Sequence, residues 1–386
     1  MISNHRAAAT RLREEIHIRE LDGWLLLTQF GGMNRRRVLS LLGLPAIAGI
    51  GYTGYRNVRN PYYDGPISGN FDGLRFHMPG ISREKPFTDL IKWQFGGGKQ
   101  PWPASAPSPF SDTPPARVEG GSLRISYVGH ASVLLQTHGL NILIDPVWSQ
   151  RASPVGFAGP KRVNDPGIAL SDLPPIDAVL VSHNHYDHLD IATLSALAGN
   201  PRTRFLTPLG NDTIMRDGDA TIRAQSYDWG ARVDIGNGVF VHFEPAYHWS
   251  ARGMFDRRMA LWCAFVIETP SGKIYHIADT GFADGEIFRQ MRDKHGGFRL
   301  AILPIGAFEP RWFMSEQHID PDEAVAIMEL CGAERAMAHH WGTFQLTNEA
   351  IDEPPKRLAL ALEKSTIPPA RFQVKRPGEV LEFVVV

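Results

Sequence analysis

From Leu123 onward the chain repeats short apolar runs, rich in β-branched residues, that are separated by turns. Such runs are typical of β-strands, and Gly129 and Gly139 mark the turns between the first three of them. The predicted strands cover residues 123–128, 132–135, 141–144, 178–182, 239–244, 264–268, 273–277, 300–303, 336–339 and 380–386.

Helical patterns lie between some of these strands, at residues 191–198, 321–330 and 355–364. The second has Pro321 in its first turn followed by Asp322, as helix N-termini favour. Strands come first and helices are spaced among the later ones. The chain is therefore predicted to be an α/β protein with two mixed sheets covered by helices on the outside.

Residues 61–116 lack this periodicity. They are rich in Gly, Pro and aromatic residues, and residues 101–115 read as a linker or a strap lying over the surface. We therefore predict one large folded domain over residues 117–386. An N-terminal extension (residues 1–60) and a Pro/Gly-rich extension and linker (residues 61–116) precede it.

A basic triplet, Arg35-Arg36-Arg37, leads into an uncharged run from Val38 to Tyr55. This order is typical of an export signal or membrane anchor, over about residues 33–55, and loosely resembles a twin-arginine signal. It predicts a membrane-associated protein, exported to the periplasmic side. Pro45 and several glycines weaken the run as a spanning helix, so a buried or peripheral segment and a cytoplasmic protein remain alternatives. Met33 stands where a start codon would, and residues 1–32 are interpreted as an upstream extension.

Composition excludes several classes of protein. The chain is 43% hydrophobic and 21% charged with a net charge of −1, which is ordinary for a globular protein and gives no sign of a nucleic-acid-binding tract. Its two cysteines, Cys263 and Cys331, have no metal-ligand spacing. Zinc-finger and disulfide-framework folds are therefore excluded.

The stretch His183-Asn184-His185-Tyr186-Asp187-His188 directly follows the apolar run 178–181. It predicts a loop at a strand end whose imidazoles and carboxylate converge on metal, because such groups cost desolvation energy when they are packed together without a partner. Metal-bound water becomes a nucleophile near neutral pH, so the motif indicates hydrolysis.

The four residues of this loop cannot fill the coordination shells of two metal ions, so further ligands must come from elsewhere in the chain. Three candidates each follow a predicted strand: His248, Asp279 and His340. Loops at strand ends are the usual carriers of site residues. Asp279 could bridge two cations with its two oxygens. A structural role in hydrogen bonding remains the alternative for each single histidine.

Several segments resemble the metallo-β-lactamase superfamily and, within it, the N-acylphosphatidylethanolamine-hydrolysing phospholipase D family. The similarity covers about residues 120–385. Its segments are Gly-His-Ala-Ser (129–132), Asp-Pro (145–146), Ser-Gln-Arg-Ala-Ser-Pro (149–154), Gly-Pro-Lys-Arg (159–162), Leu-Pro-Pro-Ile-Asp-Ala-Val (173–179), Ile-Gly-Ala-Phe-Glu-Pro-Arg-Trp-Phe-Met (305–314) and His-Trp-Gly-Thr-Phe (340–344). The chain departs from the family at Gly156 and Phe157.

The resemblance implies a four-layer αββα sandwich with two zinc ions at one edge. The implied ligands are His183, His185 and His248 on one zinc, Asp187, His188 and His340 on the other, and Asp279 between them. The resemblance also favours zinc, because di-iron members of the superfamily carry a carboxylate where this chain has His185. Imidazole-rich donor sets suit zinc as well.

The implied activity is hydrolysis of N-acylphosphatidylethanolamine to N-acylethanolamine and phosphatidic acid by a hydroxide held at the zinc pair. The expected partners are a phospholipid, a membrane surface and a second copy of the chain, and no nucleic acid is expected. Two alternatives remain. One is a hydrolase of this fold that acts on a soluble phosphoester or lactone, and the other is a non-catalytic metal-binding membrane module.

Six residues are candidates for other roles in the site. Asp187 is expected to orient the nucleophile, and His318 to donate a proton to the leaving group or, with Gln317, to contact the phosphate. Arg252 and Arg311 are candidate anion contacts because guanidinium pairs well with phosphate oxygens. The alternatives are a structural role before Pro321 for His318 and a surface position for Arg252. His130 is expected to orient a metal ligand.

Overall fold

The computed structural model describes residues 59–78 and 86–384 of the chain. The strands in these ranges form two mixed seven-stranded sheets. They are β1 Leu123–Gly129, β2 Ser132–Thr137, β3 Leu140–Ile144, β4 Ala178–Leu180, β5 Arg204–Pro208, β6 Ala224–Tyr227, β7 Arg232–Gly236, β8 Val239–Glu244, β9 Ala264–Thr269, β10 Gly272–His276, β11 Leu300–Pro304, β12 Ala336–His339, β13 Phe372–Val374 and β14 Val380–Phe383.

The two sheets have matching topologies. The order is β14-β1-β2-β3-β4-β5-β6 in the first sheet and β13-β12-β11-β10-β9-β8-β7 in the second. In the first sheet the ladders from β14 to β3 are antiparallel and those from β3 to β6 are parallel. In the second, β7 to β10 are antiparallel and β10 to β13 are parallel.

Helices cover the outer faces of both sheets. They are α1 Phe87–Phe95, α2 Ile191–Ala198, α3 Asn211–Gly218, α4 Glu286–His295, α5 Arg311–Met314, α6 Pro321–Leu330 and α7 Glu353–Glu363. At the start of α6, Asp320 and Glu323 form a reciprocal capping box, and Pro321 occupies the first turn.

Alternation along the strands produces the layers. On β2, Val133 and Leu135 belong to the apolar cluster between the sheets, whereas Leu134 belongs to the cluster under α2 and α3. On β9, Phe265 faces the inner cluster and Val266 the cluster under α4, α6 and α7. Because both faces of these strands are covered, they consist almost entirely of buried residues.

The predicted fold class is confirmed: the chain is an α/β protein in which helices cover two mixed sheets. The helices predicted at 191–198 and 321–330 have those bounds, and the third runs Glu353–Glu363 rather than 355–364. The helices α1, α3, α4 and α5 and the strands β5, β6, β7 and β13 were not predicted. Helix α4 is strongly polar except at Ile287, Phe288 and Met291, and β13 has only three residues, so neither has a strong pattern of its own.

Residues 59–78, which we name the N-terminal strap, pack on the second sheet and its neighbouring loops. Phe71 and Phe76 are 1% and 0% exposed and join the apolar cluster under α4 and α6. Their rings contact each other and Tyr63 at centroid distances of 4.6 to 5.3 Å. The division of the chain at residues 60 and 116 stays a prediction.

No helix within residues 59–78 and 86–384 is long and apolar enough to cross a membrane. The predicted signal or anchor at about 33–55 and the extension 1–32 lie outside the described residues.

Candidate metal centre

Strand ends from both sheets carry the predicted ligands to one place. The loop after β4 holds His183, His185, Asp187 and His188. His248, Asp279 and His340 follow β8, β10 and β12, respectively. The structure brings all seven side chains together, in two neighbouring groups.

The first group contains His183, His185, His248 and Asp279, which offer ligand atoms within 4.8 Å of one another. His185 Nδ1 lies 2.9 Å from His183 Nε2 and 3.3 Å from His248 Nε2. Asp279 Oδ2 is 3.9 Å from His183 Nε2 and 3.7 Å from His248 Nε2. Three imidazoles and a carboxylate around one point form a donor set that suits zinc.

The second group contains Asp187, His188 and His340, with His130 beside them. Asp187 Oδ2 is 3.5 Å from His188 Nε2 and 3.3 Å from His340 Nε2. His130 Nε2 also lies 2.8 Å from Asp187 Oδ2, so its ring holds the carboxylate in place. This is the position expected for a residue that orients a ligand.

Asp279 lies between the two groups. Its Oδ1 is 3.1 Å from His340 Nε2, and its Oδ2 is 3.3 Å from His188 Nε2 and also faces the first group. Only 3% of this residue is exposed. Among the seven predicted ligands it is therefore the one placed to bridge two cations.

These residues fit a divalent metal. His188 Nε2 and Asp279 Oδ1 are buried and have no hydrogen-bond partner among the described residues. Burial lowers the pKa of His185 to about 4 and that of His248 to about 3, so these rings are neutral, as metal binding requires. Burial lowers the pKa of His340 as well, but the carboxylates of Asp279 and Asp187 outweigh it and raise that pKa to about 9. A positive charge is thus favoured beside these carboxylates.

Comparison with known proteins agrees with this geometry. A family model described as "Beta-lactamase superfamily domain" matches residues 140–341. The chain is 37% identical over 269 residues to N-acyl-phosphatidylethanolamine-hydrolyzing phospholipase D 1 of Caenorhabditis elegans, covering 67% of this chain and 75% of that protein. The chain belongs to the metallo-β-lactamase superfamily. It is a metal-dependent hydrolase of that superfamily.

Two further matches extend the comparison. An uncharacterized protein of Mycobacterium tuberculosis is 36% identical over 346 residues, which cover 88% of this chain and 90% of that protein. The crystal structure of an isothiocyanate hydrolase from Delia radicum gut bacteria superposes with a TM-score of 0.53 at 15% identity, covering 67% of this chain and 98% of that one. The structural match shows the shared fold.

Asp145, which was not predicted as a site residue, lies behind the metal loop and holds His188 and Ser182 in place. Its Oδ2 accepts hydrogen bonds at 2.8 Å from His188 Nδ1 and at 2.7 Å from Ser182 Oγ, and its Oδ1 accepts one at 2.7 Å from the Ser182 N–H. A carboxylate behind a ligand histidine fixes the orientation of the ring. The signals in the sequence were its position directly after β3 and the family-like Asp-Pro segment at residues 145–146.

Several residues other than glycine at the site have a left-handed backbone conformation. His130, Asp145, Ala278 and His340 all have positive φ, between 44° and 59°. Such values are uncommon for residues other than glycine and recur at functional sites, where the surrounding structure enforces them. Each of these residues directly follows, or lies within two residues of, the end of a strand, so the turn out of the sheet aims its side chain or its neighbour's.

His318 lies against the metal centre. Its Nδ1 is 3.8 Å from Asp279 Oδ2, and its ring centroid is 5.3 Å from that of His248 and 5.7 Å from that of His340. This nitrogen is buried without a hydrogen-bond partner. Burial lowers the pKa of His318 to about 3. The geometry allows a role in the site, which stays a prediction.

Gln317 is near the site, but both ends of its side chain are already bonded. Its Oε1 accepts from Trp249 Nε1 at 2.6 Å, and its Nε2 is 3.5 Å from Met314 Sδ. Its backbone carbonyl oxygen is 3.0 Å from His248 Nδ1. The structure therefore gives Gln317 the task of orienting His248 and Trp249.

The two predicted anion contacts are bound to protein groups. Arg311 donates to His318 O at 2.8 Å and pairs with Glu323 at 2.7 Å and Asp320 at 3.5 Å, so every nitrogen of its guanidinium faces a protein oxygen. Arg252 donates from Nη1 to Asn184 O at 3.0 Å and to Leu189 O at 2.9 Å. Arg311 braces the loop of His318, and Arg252 braces the metal loop. Phosphate binding by either one stays a prediction.

Proposed function

We propose that this chain is a phospholipase D-type phosphodiesterase that binds two zinc ions and hydrolyses N-acylphosphatidylethanolamine. The observation that carries the proposal is Asp279, whose two oxygens face two separate histidine-rich donor groups. Imidazole-rich sets favour zinc over magnesium or calcium. The substrate is supported by the similarity to the enzyme of Caenorhabditis elegans.

The residues that would hold the metals are His183, His185 and His248 at one position, Asp187, His188 and His340 at the other, and Asp279 at both. When bound, a zinc pair lowers the pKa of water to near neutral and neutralises charge on phosphate oxygens. In the overall reaction, the bond from phosphorus to the ethanolamine oxygen breaks and a bond from phosphorus to a water oxygen forms. N-acylethanolamine and phosphatidic acid are the products.

The remaining tasks fall to protein groups. His130 Nε2 lies 2.8 Å from Asp187 Oδ2, so this carboxylate has one fixed orientation toward the site. His318 has a buried, unpartnered Nδ1 beside Asp279, and we assign it the hydrogen bond to a phosphoryl or leaving-group oxygen.

Exposed apolar side chains lie on segments that also carry site residues, which suits a substrate with acyl chains. Met254 is 41% exposed and follows Arg252, and Trp312 is 47% exposed and precedes Gln317. Phe157, in the loop where the chain departs from its family, is 66% exposed. We propose that these residues meet the lipid at a membrane surface.

The experiment is an assay of purified protein on N-acylphosphatidylethanolamine in detergent micelles, with N-acylethanolamine and phosphatidic acid quantified by mass spectrometry. A soluble phosphodiester and a lactone are assayed in parallel, and metal content is measured by elemental analysis. We expect two zinc equivalents per chain and release of both lipid products.

His185→Ala is expected to lose metal together with activity. His138→Asn changes a histidine at the turn between β2 and β3, outside both metal groups. This variant should keep its metal and its activity. Turnover of the soluble compounds without release of N-acylethanolamine would contradict the lipid substrate. A wild-type protein that binds metal but turns over none of the three would indicate the non-catalytic module.

A further inference from the structure

The segment between residues 250 and 260 connects the N-terminal strap to the metal loop. It begins two residues after His248 and contains Arg252 and Asp256. Through Arg252 it contacts the loop of residues 183–189, and through its backbone it contacts the strap. Nothing in the proposed chemistry accounts for this connection.

Arg252 clamps both ends of the metal loop. A single nitrogen, Nη1, donates to the carbonyl oxygen of Asn184, which lies between His183 and His185, and to that of Leu189, which follows His188. Its guanidinium carbon lies 3.9 Å from the centre of the Tyr186 ring, and the Tyr186 hydroxyl donates back to the Arg252 carbonyl at 3.1 Å. Movement of Arg252 would therefore move the residues that flank three ligand imidazoles.

Asp256 fixes the backbone of Arg252. Its carboxylate accepts hydrogen bonds from the N–H of Arg252 at 3.1 Å and from the N–H of Gly253 at 2.9 Å. It is only 7% exposed, and the Tyr62 hydroxyl of the strap donates to its Oδ2 at 3.0 Å. Hydrogen bonds to a buried carboxylate are stronger than those between neutral groups, so the Tyr62 hydroxyl contributes directly to the placement of Asp256.

The strap is anchored firmly enough to act as a support. Asn60 is 4% exposed, and its Nδ2 donates to Met259 O and Leu74 O at 2.8 Å each. The N–H of Phe76 donates to Arg258 O at 2.7 Å, and the Phe76 ring is completely buried. These contacts join the strap to the 250–260 segment at several points along its length.

We propose that the N-terminal strap positions the metal loop, and that Tyr62, Asp256 and Arg252 form the path of contacts by which it does so. These three are positioning residues, because they act on the ligand loop through its backbone. The inference rests on the metal centre of the proposed function and does not depend on the lipid substrate. It predicts that metal affinity responds to a hydroxyl on the strap.

The test compares two neighbouring tyrosines. Tyr62→Phe removes the donor to Asp256 and keeps the ring. Tyr63→Phe removes a hydroxyl that makes no hydrogen bond to another described residue, and keeps the ring that contacts Phe71 and Phe76. Metal-free protein is titrated with zinc against a chromophoric chelator, the cobalt-loaded protein is examined by visible absorption spectroscopy, and the thermal unfolding of each metal-free variant is recorded.

We expect Tyr62→Phe to weaken zinc affinity about three- to tenfold and to change the cobalt spectrum, because only a part of the free energy of one hydrogen bond to a charged group is transmitted to the ligand loop. Tyr63→Phe should stay within about twofold of the wild type, since it removes no such bond. Arg252→Lys, which keeps the charge but not the guanidinium geometry, should weaken zinc affinity about 10- to 100-fold, as loss of a ligand-orienting group does.

Equal zinc affinity and equal cobalt spectra in Tyr62→Phe, Tyr63→Phe and the wild type would overturn the inference. If Tyr62→Phe does not fold, Asp256→Asn takes its place, because it weakens the same hydrogen bonds without a change of shape. A wild-type protein that binds no zinc would overturn the metal centre of the proposed function and the positioning role together. Failure on the lipid substrate alone would leave the positioning role standing.

Discussion

In three imidazoles of the metal centre, one ring nitrogen is held by a protein group and the other ring nitrogen faces the site. His188 Nδ1 is bound by Asp145, His248 Nδ1 by the Gln317 carbonyl and His183 Nδ1 by the Ser182 hydroxyl, at 2.8, 3.0 and 2.9 Å. These partners determine both the ring orientation and the nitrogen that is left for metal. The site is thus organised by groups that do not themselves bind metal.

At this scale Asp145 provides the sharpest prediction. Asp145→Asn replaces the carboxylate behind His188 with an amide of the same shape, and we expect about 10- to 100-fold weaker metal affinity with lower activity. Zinc titration of the metal-free protein measures it. Asp293→Asn, at a position whose side chain is 70% exposed on α4, is the control. Unchanged affinity in Asp145→Asn would show that the ring of His188 needs no partner.

Among the elements, the loop of residues 316–318 is placed by a close approach of two backbones. A Cβ atom added at Gly281 would lie 2.4 Å from the carbonyl oxygen of Glu316. The N–H of Gly281 donates a hydrogen bond to Tyr247 O at 2.7 Å, so the Gly281 backbone cannot move away from Glu316. The absence of a side chain at Gly281 therefore determines where Gln317 and His318 lie.

Gly281→Ala should displace this loop and with it His318 and the carbonyl that orients His248. We expect kcat to fall about 10- to 100-fold, because small displacements of positioned groups are costly in catalysis. Steady-state kinetics on the substrate turned over by the wild type test it. Gly69→Ala, where an added Cβ would meet nothing within 4 Å, should leave kcat unchanged. Full activity in Gly281→Ala would mean that the loop position is unimportant.

Strand β8 is joined to helix α4 by a buried ion pair that makes stability depend on pH. Glu244 is 1% exposed and accepts from Lys294 Nζ at 2.8 Å and from His295 Nε2 at 2.9 Å. Burial alone would raise the pKa of Glu244, but the hydrogen bonds and charges of His295 and Lys294 outweigh it and lower that pKa below 4.5. The stabilisation is therefore present above about pH 4.5 and is lost as the pH falls through the folded-state pKa.

Glu244→Gln should reduce the free energy of unfolding by about 1–3 kcal/mol at pH 7, the size of hydrogen bonds to a charged group. The difference from wild type should narrow below pH 4.5 as the wild-type carboxylate is protonated. Urea unfolding at several pH values measures both effects. Glu286→Gln, on the exposed side of α4, should change stability little at any pH. A difference that is constant between pH 7 and pH 3.5 would contradict the assignment.

For the molecule as a whole, two sheets enclose one apolar layer, and helices enclose a second and a third. The N-terminal strap belongs to this architecture, because Phe71 and Phe76 complete the layer under α4 and α6. The site lies where strand ends from both sheets meet. Its geometry therefore depends on how the two sheets pack and not on one sheet alone.

Phe76→Ala tests whether the strap is part of the folded core. Removal of a fully buried aromatic ring should lower the free energy of unfolding by about 3–5 kcal/mol. Chemical denaturation is the measurement. Phe157→Ala, at a side chain that is 66% exposed, should cost little. If both variants were equally stable, the strap would lie on the domain without stabilising it.

Much of the fold could be predicted because the strands of the two sheets are continuous apolar runs between turns. The four ligands of the metal loop could be recognised because they lie within six successive residues, and His248, Asp279 and His340 because each follows a strand. Asp145 also follows a strand, but a single aspartate there has no distinguishing pattern. The burial of Phe71 and Phe76 was not predicted because the strap has no periodicity and packs against residues distant in the chain.

By itself the sequence determined the α/β class, the metal loop and the family, since all three depend on local runs of residues. Only the tertiary structure decided that Asp279 stands between two donor groups, that Arg311 and Arg252 bind backbone carbonyls near the site, and that Tyr62 reaches Asp256. Each of these facts joins residues brought together by the packing of two sheets, and side-chain chemistry alone does not reveal which acceptor a guanidinium or a hydroxyl will meet.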